Sequence, residues 1–176
     1  MFVRNEKVVY PGHGVAIISS IIEKKIAGKI SQFFELRFLN KDMTILVPTD
    51  NAIAVGIRPL SSADHINSIF KKLSQPAVVK NHDAVVSNWN KRNKEYQGKL
   101  RSGDLLEIGA IYRDLRHIEH YKELSFGEKS LLQQTESLLV EEISIVNNVE
   151  ADLAMECLRG LVGHKPKPLH RLIKET

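Results

Sequence analysis

Seven histidines, one cysteine and 21 carboxylates are the groups in this 176-residue chain that could carry catalysis or hold a metal, and their spacing argues against both. His117 and His120 stand three apart, so a helix would place both on one side. No cysteine and no HExxH pattern joins them, and Asp114 is the only carboxylate at useful helical spacing. A solvated helix end accounts for the pair. His13, between Gly12 and Gly14, reads as part of a tight turn. Neither GxxxxGK[ST] nor GxGxxG is present, which leaves no phosphate loop. The reading is of a chain that is not an enzyme and uses no cofactor or metal. Cys157, among Leu153, Met155 and Leu158, can form no internal disulfide; it reads as a buried thiol suited to a reducing compartment.

Polyanion binding is the chemistry that the residues do support. Lys91, Arg92, Lys94, Lys99 and Arg101 fall in thirteen residues against Glu95 alone. By contrast, Leu131 to Cys157 carries six acids and no Lys or Arg, so the net charge of +4 is distributed unevenly. In a helix Lys91, Lys94 and Arg101 form a stripe that Arg92 and Lys99 broaden, and such a stripe can follow a phosphate backbone. A solvated helix face is the plainer alternative. Trp89, the only tryptophan, opens this segment. Spacing alone favours a core or staple role for its indole over an apolar wedge beside a base step, and both stay open at this point.

The elements that position these residues fall into two kinds. Lys7 to about Ile57 is β-like: Val8-Val9-Tyr10, a Pro11-Gly12-His13-Gly14 turn, and runs over Val15–Ile22, Gln32–Leu39 and Met43–Val47. So few short strands are expected to curl into an SH3-like or Tudor-like barrel that covers its own edges. After Arg58-Pro59 the period becomes helical. Ile66, Ile69, Phe70 and Leu73 follow a cap at Ser62 or Asp64, and Asn88 can cap a helix from Trp89 to about Leu100. Ser102-Gly103-Asp104 ends that helix and starts one bearing Leu105, Ile108, Tyr112 and Leu115. Ser125-Phe126-Gly127-Glu128 has the form of a capping box, and a last helix covers Glu150 to Leu161. The fold class is α+β. A β module spans 1–60, a helical module 61–163 and a basic tail 164–176, with Pro76 to Ser87 as a connector and candidate boundary.

Several blocks together resemble a known family. Val8-Val9-Tyr10-Pro11-Gly12-His13-Gly14-Val15-Ala16 looks like the opening of the CarD/CdnL bacterial transcription regulators. Asn88-Trp89-Asn90-Lys91-Arg92, Leu100-Arg101-Ser102-Gly103-Asp104, Tyr112-Arg113-Asp114-Leu115 and Leu124-Ser125-x-Gly127-Glu128-Lys129 recur in that family's order. The resemblance implies a Tudor-like N-terminal domain that binds the RNA polymerase β subunit, as in transcription-repair coupling factors, and helices that bind promoter DNA without strong sequence preference. It further implies that Trp89 wedges at the upstream edge of the transcription bubble, stabilising the open complex, while Lys91, Arg92, Lys94 and Lys129 contact the DNA backbone.

The same resemblance points to Lys24, Lys25, Ile26 and Leu46 as the polymerase face. Leu46 stands where some relatives carry arginine, and Lys24 keeps a charge without the guanidinium fork. The expectation is a monomer in the cytoplasm, associated with the nucleoid and not with a membrane. The rival reading is an RNA-binding or ribosome-associated factor, since a barrel and a basic helix could also serve structured RNA.

Overall fold

The structure, a computed structural model, describes residues 2–75 and 89–162. Contacts group them into two compact units, one of residues up to 60 together with 101–103 and one of the remainder. The connector Pro76–Ser87, the Asn88 cap and the 164–176 tail lie outside the described residues.

The first unit is an antiparallel sheet of β1 (Lys7–Tyr10), β2 (Gly14–Ile26), β3 (Lys29–Phe38), β4 (Thr44–Pro48) and β5 (Arg58–Pro59), in the order β4-β3-β2-β1-β5. Alternation places Val8, Ala16, Ile18, Phe34, Leu36, Phe38 and Val47 on one face, where they form a core with Ala52 and Ile57. The register of β2 against β3 shifts between Ile18 and Ser20. Across this bulge the core-facing positions change from even to odd numbers, so that Ile21 rather than Ile22 lies opposite the core residue Phe34.

Two expectations are corrected here. The sheet is not closed as a barrel: β5 has only two residues and β4 five, too few to curl round and pair. Pro48 and Pro59, which have no N–H to offer, help to blunt these edges instead. Second, β2 continues beyond Ile22 to Ile26 and turns into β3 through Ala27-Gly28, whose φ values of 50° and 82° suit a two-residue hairpin turn. Residues 23–30 are exposed, so this projecting ribbon has no buried face to impose alternation on its sequence.

The second unit comprises α1 (Ala63–Leu73), α2 (Trp89–Ser102, apart from its last two residues), α3 (Leu105–Glu119), α4 (Phe126–Asn147) and α5 (Ala151–Val162). Ser62 caps α1 by accepting from the His65 N–H at 3.2 Å, while Asp64 lies in the first turn. Gly103, at φ +69°, breaks the chain between α2 and α3, and the Asp104 carboxylate accepts from the Leu106 N–H at 2.8 Å. Asn148 ends α4 in the left-handed conformation, φ 51°. Ile66 and Ile69 of α1, Leu100 of α2, Ile111 and Leu115 of α3, Leu139 and Ile143 of α4 and Leu158 of α5 belong to one core. Cys157 is buried, and that burial pushes its thiol up to about 11, which makes it inert. Among the described residues no helix is long and apolar enough to cross a membrane.

Candidate nucleic-acid interface

The basic helix divides into two faces. Trp89, Tyr96 and Leu100 recur at i, i+7 and i+11 and share the inward side of α2, with Tyr96 and Leu100 buried at 4% and 3% exposure. Lys91 and Lys94 are exposed and fall roughly opposite, at about 100° per residue. Lys99 is drawn into pairs with Glu95 at 3.3 Å and Glu107 at 3.5 Å. Burial pushes the Tyr96 phenol up to about 12, with the neighbouring Arg92 charge working against the rise.

Trp89 sits on this inward side at the start of α2, but unlike Tyr96 and Leu100 it is only partly buried against the helical core. Its indole lies against Gly127 in the first turn of α4: a Cβ at position 127 would stand 3.0 Å from Cζ2 and 3.4 Å from Cε2. The Arg92 guanidinium carbon is 5.9 Å from the centre of the indole.

Arg92 is placed differently from the other cations of the segment. Its Nη2 donates to Glu128 Oε1 at 2.9 Å, while Nε and Nη1 are buried with no hydrogen-bond partner among the described residues. Glu128, at 1% exposure, is the hub of the capping box. Its Oε2 accepts from the Ser125 N–H and hydroxyl, each at 2.9 Å, and its own N–H donates to Ser125 Oγ at 3.3 Å. Lys122 Nζ donates to the same carboxylate at 3.0 Å. Burial alone would raise this carboxyl, but Ser125, Lys122 and Arg92 together hold it at about 2. Lys129 is half exposed at the same end of α4, in an ion pair with Glu123 at 2.8 Å.

The structure thus brings Trp89 and Arg92 to the first turn of α4, which carries Lys129, and leaves Lys91 and Lys94 on the far side of α2. It turns the Arg92 guanidinium inward, with Nη2 on Glu128 and with Nε and Nη1 buried. Sequence reasoning missed three contributors: Gly127 as the seat of the indole, Lys122 as a partner of Glu128, and Phe126, 89% exposed beside Gly127. The Ser125–Glu128 box was the available signal, read there only as a helix start.

The residues expected at a polymerase face also sort by geometry. Leu46 pairs with Glu35, which pairs with Ser20, so Leu46, Ser20, Lys24 and Ile26 share one face of the sheet and Lys25 lies on the other. Ile26 and Leu46 are 53% and 38% exposed. Between them Glu35 accepts from Ser19 and Ser20 at 2.7 and 2.8 Å; these bonds, more than the Lys24 charge, hold its carboxyl below the usual range. Among the described residues no group of three or more His, Cys, Asp or Glu could hold a metal, and His117 stacks edge-on with Tyr121, centroids 4.9 Å apart.

Residues 69–159 match the family model described as CarD, C-terminal domain, and residues 2–61 match the CarD-like/TRCF RID domain. The chain is 27% identical over 152 residues to a Bacillus subtilis (strain 168) protein named "Putative transcription factor YdeB", a match covering 85% of this chain and 94% of that one. It is also 30% identical to the 72-residue N-terminal domain of Myxococcus xanthus CarD, solved by NMR, over 34% of this chain and 79% of that one, with a TM-score of 0.30. With its C-terminal match alone spanning more than half its length, the chain belongs to the CarD-like transcription factor family.

Proposed function

We propose that this chain regulates transcription by binding the RNA polymerase β subunit with residues 1–60 and promoter DNA at the upstream edge of the transcription bubble with residues 61–163. Lys24, Ile26 and Leu46 make the polymerase contact, with Lys25 peripheral to it. Trp89 meets the DNA, supported by Lys91, Lys94 and Lys129. The protein acts as a monomer in the cytoplasm, on the nucleoid.

One observation carries the reading: the sole tryptophan is left partly open at a cationic helix start while its neighbours on the same face are buried. A wedge needs such an apolar edge within reach of solvent. Attachment to polymerase raises the local DNA concentration, so the DNA contact can be individually weak. A step that is unstacked only after melting offers the indole a surface that closed DNA lacks, and this difference in affinity favours the open state.

Trp89→Ala tests the proposal in a promoter-opening assay. Stacking on a base is worth roughly 1–3 kcal/mol, so loss of the ring shortens the open-complex lifetime by about 5-fold to about 150-fold while polymerase binding is kept. An unchanged lifetime removes the wedge.

A further inference from the structure

Three cationic side chains near Trp89 could be phosphate contacts by charge alone, yet one is already committed elsewhere. Arg92 keeps Nε and Nη1 buried and gives Nη2 to Glu128, so presenting the guanidinium to a phosphate would mean leaving that carboxylate. Lys91 and Lys94 lie exposed on the opposite side of α2. The Glu128 carboxylate in turn is fixed by Ser125 and Lys122 at the first turn of α4, which also provides the Gly127 surface under the indole.

We infer that Arg92 is a positioning residue: its ion pair with Glu128 ties the start of α2 to the first turn of α4 and holds the Trp89 indole seated on Gly127, in the orientation that DNA meets. The cationic face at 5.9 Å from the ring adds attraction from the same group. Gly127 is the second half of the seat. Any side chain there would bring a Cβ to 3.0 Å from Cζ2, so the ring must give way by a few tenths of an ångström. The relevance to DNA rests on the function proposed above, but the seat itself does not.

Because Trp89 is the only tryptophan, its fluorescence reports the seat in the full chain without polymerase or DNA. Arg92→Met and Gly127→Ala are each expected to raise the acrylamide quenching constant at least twofold. Gly127→Ala leaves the ion pair intact and places a better helix former in α4, so it keeps the test meaningful should Arg92→Met fold poorly. Salt dependence of binding to a fork-junction promoter DNA supplies the second arm. Arg92→Met should leave the slope of log affinity against log salt unchanged, whereas Lys94→Met should reduce it by about one. Quenching that stays at the wild-type value in both seat variants overturns the inference, as does a slope lowered by about one in Arg92→Met, which would make Arg92 a phosphate contact. Failure of the DNA proposal reads differently: Trp89→Ala would then leave promoter opening unchanged while the seat variants still alter quenching.

Discussion

Arg159 grips Glu136 with both arms of its guanidinium side, Nε to Oε1 and Nη2 to Oε2, each at 2.8 Å. Glu136 also accepts from Arg116 Nη2 and the Tyr112 hydroxyl at 3.0 Å, so one carboxylate of α4 joins α3 to α5. The Arg159 bonds above all, together with Tyr112 and Arg116, hold the Glu136 carboxyl below the usual range against the effect of burial.

Removing either end should loosen α5, but unequally. Arg159 is half exposed while Glu136 is buried, so Arg159→Met loses screened bonds, whereas Glu136→Ala takes the shared carboxylate from Arg159, from the buried Tyr112 phenol and from Arg116, which keeps only Glu119 at 2.8 Å as an acidic partner. We expect losses of about 1–2 and about 3 kcal/mol respectively, measured by urea denaturation of the full chain. Equal losses would mean that the network does not concentrate on Glu136.

Acid should act through Glu128. Its carboxyl ionises at about 2 in the folded chain and near 4.5 when unfolded, so the unfolded state takes up the proton first as pH falls. The contribution, on the order of 3 kcal/mol, is complete above about pH 4.5 and is lost as pH falls towards about 2. Glu128→Gln should lower stability at pH 7 and flatten the stability profile across that window. A slope identical to wild type would show that other carboxylates govern acid unfolding.

On the sheet, facing direction sorts the residues proposed to meet polymerase. Leu46→Glu and Lys24→Glu alter one face and Lys25→Glu the other. Capture of the β subunit should fall more than fivefold for the first two and less than twofold for Lys25→Glu. The reverse order would put the contact on the opposite side of the hairpin.

What the sequence disclosed, and what it withheld, follows from the range of the forces involved. The Ser125–Glu128 box, the Gly103-Asp104 break and the apolar faces of the helices are local patterns, and each is found where it was expected. Barrel closure was not legible, because it depends on whether β4 and β5 are long enough to meet. The Arg92–Glu128 pair joins residues 36 apart, and no spacing rule distinguishes that arginine from the exposed Lys91 beside it. The acids of α4 were equally opaque: read as a charged stretch, they include Glu136, Glu141 and Glu142, which are buried, and Glu142 accepts from the Ser61 N–H at 2.8 Å.

The proposed wedge can be tested directly with 2-aminopurine at the first melted position on the upstream side of a promoter, in complex with polymerase and this protein. Stacking of Trp89 on that base should reduce its emission below the level given by polymerase alone, and Trp89→Ala should restore it. Equal emission with the wild-type protein, with Trp89→Ala and with no added protein would contradict the account.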